Sequence, residues 1–210
     1  MFLKLEGRRC LVVGAGRIGE PKIRSLLDCG ADIRVIALEA SEGVHQLARE
    51  RMIRLELRGF APDDLEGSFL VVVATSSCSL NESIYREAHG RGILCNVVDD
   101  PPRCDFFYPA IVRRGALQIA VSTSGHSPSL AQKIRQQLER QFGEGYAQWV
   151  EELGETRRQI LDSDLDPHQK KELLSSFASR NAFETALAQH RQDTTRPEQK
   201  EEQMEEERIV

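Results

Sequence analysis

The chain has 210 residues, 40% of them apolar and 29% charged, with a formal charge of −5. That is a globular composition, long enough for one sizeable core and a smaller appendage. The acidic balance argues against a sequence-independent grip on nucleic-acid phosphates. No apolar run approaches the roughly 20 residues that span a bilayer, and Met1–Leu5 lacks the basic-then-apolar layout of a secretory leader. The expectation is no nucleic acid, no membrane and a cytoplasmic location. Five cysteines, Cys10, Cys29, Cys78, Cys95 and Cys104, make an odd count with no C-x-x-C spacing. This argues against a disulfide framework and a structural zinc site, and no resident metal is expected. Cys10 and Cys95 lie in apolar runs and read as small buried hydrophobes, whereas Cys104 sits in a polar loop.

Taken in order, the first hundred residues alternate apolar runs with helical patterns. Strands are predicted near Cys10–Val13, Ile33–Leu38, Ile53–Leu57, Phe69–Thr75 and Ile93–Val98. Helices are predicted over Arg17–Cys29, Ser41–Arg51 and Leu80–Gly90. Strands alternating with helices indicate an α/β fold, a Rossmann-like doubly wound parallel sheet. The near-continuous runs Phe69–Ala74 and Ile93–Val98 suit strands covered on both faces. Pro21 falls at the edge of the first helical turn, where a missing N–H costs least.

After Asp99 the pattern breaks at Asp100-Pro101-Pro102-Arg103. Phe106–Arg113 and Leu117–Thr123 read as two strands joined by a tight turn at Arg114-Gly115. A two-stranded ribbon is marginal alone, so it is expected to pair with a second copy or pack on the main domain; a homodimer is predicted. Ser127 is a plausible N-cap, with Pro128 at the first position of a helix running to Phe142. Gly143 and Gly145 mark a stop. Tyr146 to about Gln189 reads as further helices with a break near Asp164–Pro167. Residues 191–210 hold seven acids against four bases and almost no apolar residue before Ile209, which predicts a solvated tail. The organisation is therefore a nucleotide-binding domain over 1–100, a small α+β dimerisation and substrate region over 101–143, a helical C-terminal region over 144–190, and a flexible acidic tail over 191–210.

The sharpest motif is Gly14-Ala15-Gly16-Arg17-Ile18-Gly19, directly after the first strand. Its spacing and its strand–turn–helix context are those of a dinucleotide-binding turn. The first glycine permits the turn, the second lets a pyrophosphate approach, and the third packs the helix on its strand. Glu39 ends the second strand, twenty residues beyond Gly19, where an acid can hydrogen-bond a ribose 2′-hydroxyl and disfavour a 2′-phosphate, favouring NAD. The bland alternative is an ordinary tight turn with an exposed glutamate.

A dinucleotide site implies hydride transfer or cofactor sensing. In doubly wound sheets the pocket lies outside the carboxyl ends of the strands, which selects Thr75 and Ser76 after the fourth strand and Asn96 to Asp99 after the fifth. Asp99 is placed where a proton acceptor is useful; equally, it can cap the turn that follows. The loop Ser122–Pro128 can hold a carboxylate or phosphate at a helix start, or serve as an elaborate cap. His126 is a candidate proton shuttle or open metal ligand, against the plainer reading of a solvated loop histidine. Arg103, Arg113, Arg114, Lys133 and Arg135 suit a substrate with several carboxylates if they face the cleft. The Tyr-x-x-x-Lys pair of short-chain dehydrogenases is missing: Tyr85, Tyr108 and Tyr146 are followed at that spacing by His89, Val112 and Val150.

Together these pieces resemble the precorrin-2 dehydrogenase/sirohydrochlorin ferrochelatase family, the N-terminal module of siroheme synthase. The resemblance runs through Val12–Gly19 with Lys22, Gly30-Ala31, Ala74-Thr75 with Asn81, and Cys95-Asn96-Val97-Val98-Asp99. It continues through Phe106, Pro109-Ala110, Arg114, and Ala120–Pro128 with Leu130-Ala131. It covers Met1 to Phe142 well and the helical remainder loosely. It implies NAD-dependent oxidation of precorrin-2 to sirohydrochlorin, followed in bifunctional members by insertion of ferrous iron, here a substrate, to give siroheme. It also implies a homodimer joined after the nucleotide domain. Carried over residue by residue, Asp99 matches the catalytic aspartate, with His126 as a second catalytic candidate. Gly14, Gly16, Arg17, Ile18, Gly19, Leu38, Glu39, Thr75 and Asn96 become cofactor-binding candidates. Arg114, Ser122, Thr123 and Ser124 become tetrapyrrole-binding candidates, and Thr123 falls where some members carry a phosphorylatable serine. The sequence departs at Pro21, where arginine is common, at Ser124, where glycine is frequent, and at His126. The methyltransferase domain of fused siroheme synthases is missing, which implies a stand-alone enzyme supplied with precorrin-2 by another protein. The competing readings are a non-catalytic NAD-sensing module and a dehydrogenase without chelatase activity.

Overall fold

A computed structural model describes residues 2–179 and 181–186; the acidic tail 191–210 lies outside the described residues. Two compact units divide the chain, the first through Tyr108 and the second from Pro109 onward.

The first unit is a five-stranded sheet: β1 (Arg9–Ala15), β2 (Asp32–Ala40), β3 (Arg54–Leu57), β4 (Leu70–Val73) and β5 (Leu94–Val97). The strands run in the spatial order β3-β2-β1-β4-β5, and every neighbouring pair is parallel. Helices α1 (Gly19–Leu27), α2 (Glu42–Arg49) and α3 (Cys78–Gly90) make the crossovers. The period-2 alternation of the strands divides the apolar residues between two faces. Cys10, Val12, Ile33, Val35, Leu70 and Val72 pack with Ile23 and Leu26 of α1 and Val44 and Leu47 of α2. Leu11, Val13, Ile36, Val71, Val73, Cys95 and Val97 pack with Ile84 and Ala88 of α3. Each such fully buried aliphatic side chain contributes about 2 kcal/mol, and two closed faces explain why these strands read as unbroken apolar runs.

Helix starts are set locally. Ser41 Oγ accepts from Val44 N–H at 3.3 Å and Ser77 Oγ from Leu80 N–H at 3.3 Å, so serines cap α2 and α3. Helix α1 differs: its N-cap is Ile18, and no side chain caps it. Pro21 is its third residue, inside the first turn, where no intrahelical acceptor exists for its missing N–H.

Beyond β5 the chain turns through Asp99 and a short 3₁₀ turn at Pro101–Arg103, then returns antiparallel beside β5. Asn96 bridges Cys104, and Asp105 N–H donates to Cys95 O at 2.8 Å. Phe106 and Tyr108 pack onto the first core. The strand expected from Phe106 therefore begins only at Ala110: the apolar residues before it are core side chains rather than hairpin.

The second unit opens with the antiparallel hairpin β6 (Ala110–Arg114) and β7 (Leu117–Val121), joined through Gly115 at φ +55. Helices α4 (Pro128–Gln141), α5 (Gly145–Asp162) and α6 (Pro167–Phe177) follow, and residues 181–186 are again helical. Ser127 caps α4 as expected, its Oγ accepting from Leu130 N–H at 3.3 Å, with Pro128 at the first position. Gly145 opens α5 rather than stopping a helix, and the region 146–189 has a second break after Phe177 besides the one before Pro167. Tyr146 and Trp149 of α5 hold Phe183, with ring centroids 4.1 and 4.9 Å apart. Among its described hydrophobic residues, those buried are Ala110, Val112, Ala131 and Ile160.

Candidate active site on the first unit

In a parallel sheet all carboxyl ends lie on one edge, and here that edge carries a cleft of about 580 Å³. Across it, in strand order, come Arg58 and Gly59 after β3, Leu38 and Glu39 of β2, the glycine turn after β1, Thr75 to Ser77 after β4, and Val98 and Asp99 after β5. Expected residues Gly14, Gly16, Arg17, Ile18, Leu38, Glu39, Thr75 and Asp99 all line this one space.

The glycine turn fits a dinucleotide on geometry. Gly14 sits at φ +100, and a Cβ there would lie 2.4 Å from Ala74 O, so only glycine lets β1 turn against β4. A Cβ at Gly19 would lie 2.2 Å from Gly14 O, which places Gly19 behind the turn, sealing helix to strand, rather than on the cleft wall. A Cβ at Gly16 would meet nothing within 4 Å: its backbone borders open cleft, where a pyrophosphate can come close. At the uncapped start of α1, Glu20 N–H donates to Gly16 O at 3.0 Å and Pro21 has no N–H, so Gly19 is the first-turn donor that remains for an anion. These residues fit the pyrophosphate of a dinucleotide, and the carboxylate of Glu39 at the end of β2 fits its ribose.

Thr75 is fixed by Asn81: its hydroxyl donates to Asn81 Oδ1 at 2.5 Å, and Asn81 Nδ2 donates to Thr75 O at 3.1 Å. Asp99 is a non-glycine residue at φ +63. The turn around it is held by Val98 N–H to Val73 O (2.9 Å) and Asp100 N–H to Val97 O (3.1 Å). Lys22 of α1 interacts electrostatically with Asp99, and the Lys22 ammonium sits 4.2 Å from the centroid of the Tyr108 ring. Burial pushes the Lys22 ammonium down from its ordinary value, while Asp99 and then Cys104 push it back up. The Tyr108 hydroxyl is buried with no hydrogen-bond partner, and burial raises it strongly. Burial also pushes the Cys10 and Cys95 thiols up to about 12, so both are un-ionised core residues.

Asn96 departs from the expectation. It is buried, and it stands outside the cleft lining. Its Nδ2 donates to Phe106 O at 2.7 Å and lies 3.3 Å from Cys104 Sγ. The cause is the strand period: Cys95 and Val97 face one side, so Asn96 faces the other, where the returning segment needs a donor. Cys104 in turn donates to Val97 O and Asp100 O, at 3.1 and 3.2 Å, and burial raises its thiol.

The remaining candidates belong to the second unit. Arg114 is a structural cap: Nε donates to Phe142 O at 2.9 Å and Nη2 to Glu139 O at 3.3 Å, closing the carbonyl end of α4. The loop before α4 satisfies itself. Ser124 N–H donates to Ser122 Oγ (3.1 Å), Ser127 N–H to Thr123 Oγ1 (3.0 Å), and exposed His126 places Nδ1 3.0 Å from Thr123 O. Ser124 stands at φ +52, a backbone conformation that glycine adopts at less cost. Arg135 pairs with Glu139, and in the first unit Arg103 pairs with Asp100. Sequence reasoning missed Arg58, Gly59 and Phe60, although any residue closing a strand of a parallel sheet is a cleft candidate. Among the described residues, no group of three His, Cys, Asp or Glu is gathered for a metal, and no helix is long and apolar enough to cross a membrane.

The parallel sheet, the strand order and the glycine turn define an NAD(P)-binding α/β protein. Residues 1–110 match the family described as putative NAD(P)-binding, and residues 114–141 match the central segment of sirohaem biosynthesis proteins. The chain belongs to this NAD(P)-binding family, in the group that includes the N-terminal part of siroheme synthases. Siroheme synthase 1 of Serratia proteamaculans is 39% identical over 160 residues, covering 76% of this chain and 34% of that protein. Siroheme synthase of Methylococcus capsulatus is 34% identical over 196 residues, covering 93% of this chain and 41% of that protein. The chain thus spans between a third and about two fifths of the length of such relatives. A solved structure of SirC, precorrin-2 dehydrogenase, superposes with a TM-score of 0.74 at 28% identity, covering 95% of this chain and 98% of that one.

Proposed function

We propose that this protein oxidises precorrin-2 to sirohydrochlorin with NAD as hydride acceptor, and then inserts ferrous iron to give siroheme. The observation that carries the reading is one cleft with a glycine-built anion site at its centre and a carboxylate, Asp99, at its β5 end. Bound NAD supplies the electron sink for the two-electron oxidation. The protein's own residues do the rest. Backbone N–H groups of the glycine turn, through Gly19, hold the pyrophosphate, and Glu39 accepts from the ribose hydroxyls. Asp99 takes the proton that leaves the macrocycle as hydride departs. The same carboxylate serves iron insertion, because pyrrole protons must leave as the metal enters. Iron is a substrate in this scheme, and the macrocycle provides its final ligands. His126 is the second catalytic residue of this reading, and the hydroxyls of Ser122, Thr123 and Ser124 are its contacts for the substrate's carboxylates.

A homodimer completes the reading. Support comes from the hairpin β6–β7, an isolated two-stranded sheet, and from the few buried residues of the second unit. Such a ribbon gains stability by covering its open edges and apolar side chains.

The test is anaerobic incubation of the protein with fresh precorrin-2 and NAD, followed by absorbance, first without metal and then with ferrous iron. The expected result is stoichiometric NADH and sirohydrochlorin, then siroheme. NADH formation without accelerated metal insertion would reduce the assignment to a dehydrogenase. Binding of NAD with no consumption of it would leave a sensing module.

A further inference from the structure

A guanidinium whose N–H groups are all engaged has only its flat face left for a ligand. Arg58 is in that state. Its Nε donates to Glu56 Oε2 at 3.0 Å. Its Nη1 donates to Gly59 O and to Asp64 Oδ2, both at 2.8 Å. Its Nη2 lies 2.5 Å from Asp64 Oδ1 and 2.9 Å from Glu56 Oε2. Four oxygens thus make five close contacts with the guanidinium, Glu56 Oε2 standing against both Nε and Nη2. The clamp is itself held: Arg34 donates to Glu56 Oε1 at 2.7 Å and to Asp64 Oδ1 at 3.0 Å, and Ala61 N–H donates to Asp64 Oδ2 at 2.8 Å. Two arginines and two carboxylates make the group neutral overall.

The side chain of Arg58 is 39% exposed, and this residue lines the cleft. Register fixes where. Ala37 of β2 pairs with Leu57 of β3, so Arg58 and Leu38 leave neighbouring strands side by side, one residue before Glu39. Leu38 is 78% exposed and also lines the cleft, an apolar side chain with no covering partner from its own strand. A flat, polarisable face and an uncovered apolar side chain next to the ribose-recognising acid describe a seat for a purine base.

We infer that the face of Arg58 and the side chain of Leu38 form the adenine seat of the cleft, with Glu56 and Asp64 holding the guanidinium in plane. The inference rests on the proposed reading of the cleft as a site for NAD. It also adds to coenzyme choice: a saturated, charge-balanced arginine offers no donor to a 2′-phosphate, although an arginine near the ribose is the usual means of accepting one.

The test uses the full-length protein and three ligands: NAD, ADP-ribose, which carries the adenine, and nicotinamide mononucleotide, which does not. Dissociation constants come from calorimetry, and from NMR titration for the weak mononucleotide. Arg58→Lys keeps a positive charge beside Asp64 but removes the planar face. The expected result is about a tenfold loss of affinity for NAD and ADP-ribose, the scale of a base-stacking contact, with the mononucleotide unchanged within twofold. Leu38→Ser gives a second reading at an exposed position that the fold does not need, with about a fivefold loss confined to the two adenine ligands. Wild-type affinity for NAD in Arg58→Lys would overturn the inference, as would equal losses for all three ligands. If Arg58→Lys does not fold, Leu38→Ser decides alone, and unchanged affinity there has the same force. Failure of the wild-type protein to bind NAD would overturn the nucleotide reading itself, and the adenine seat with it.

Discussion

The two ends of the cleft are built differently. At the β1–β2–β3 end the chain presents backbone and one immobilised side chain: the turn Gly14–Gly19, the uncapped start of α1, and Arg58 clamped among its partners. At the β4–β5 end it presents side chains, Thr75 and Ser76 after β4 and Asp99 after β5, with Lys22, Tyr108 and Cys104 packed together beyond the cleft lining. Backbone shape suits a ligand that is the same in every turnover. Side chains with movable protons suit the step in which bonds change. Under the proposed function the first end holds and the second reacts, so substitutions at the two ends should separate binding from turnover.

The largest expected effect is at the holding end. Gly14→Val drives a Cβ into Ala74 O at a positive φ, costing about 4 kcal/mol in strain and overpacking. Urea unfolding should show that loss, and calorimetry should show no NAD binding. A stable variant with wild-type affinity would break the contrast outright. Next, Asp99→Asn, which tolerates the same backbone, should lower precorrin-2 oxidation by about a hundredfold or more while NAD affinity stays within twofold; coupled losses would erase the separation. Asp64→Asn tests the clamp. The Arg58 guanidinium holds the Asp64 carboxyl below the usual range, helped by the Ala61 N–H. A depressed carboxyl stabilises the fold above its unfolded value near pH 3.9, and that stability is lost as pH falls. The variant should be about 2 kcal/mol less stable than wild type at pH 7, and the gap should close below about pH 4 in urea titrations. The smallest effect is at Glu39. Glu39→Ala should reduce the preference for NAD over NADP about tenfold, since one charged hydrogen bond is lost and one repulsion relieved; an unaltered ratio removes the ribose contact.

The holding end was largely legible in the sequence because its parts are contiguous. The apolar runs, the glycine spacing and Glu39 twenty residues on are all local patterns. The Ser127-Pro128 cap was legible for the same reason. What escaped depends on residues far apart in sequence. Asn96 ends a strand at the cleft edge, yet the strand period turns it toward Phe106 and Cys104, which only the fold brings near. Arg114 reads as a free cation, yet it closes a helix end some 25 residues later in the chain. Phe106 and Tyr108 have strand-like apolarity but are core side chains of the first unit. Arg58 follows an unremarkable short strand, and its use depends on acids at 56 and 64 that only the folded chain turns inward.

Asp99 has one more consequence. At φ +63 glycine is the residue of least conformational cost, so the architecture does not require a carboxylate there. Asp99→Gly should unfold in urea at no lower concentration than wild type while producing no NADH from precorrin-2. A screen that ranks variants by abundance or melting temperature would pass this lesion as benign; only an assay that follows product would reveal it.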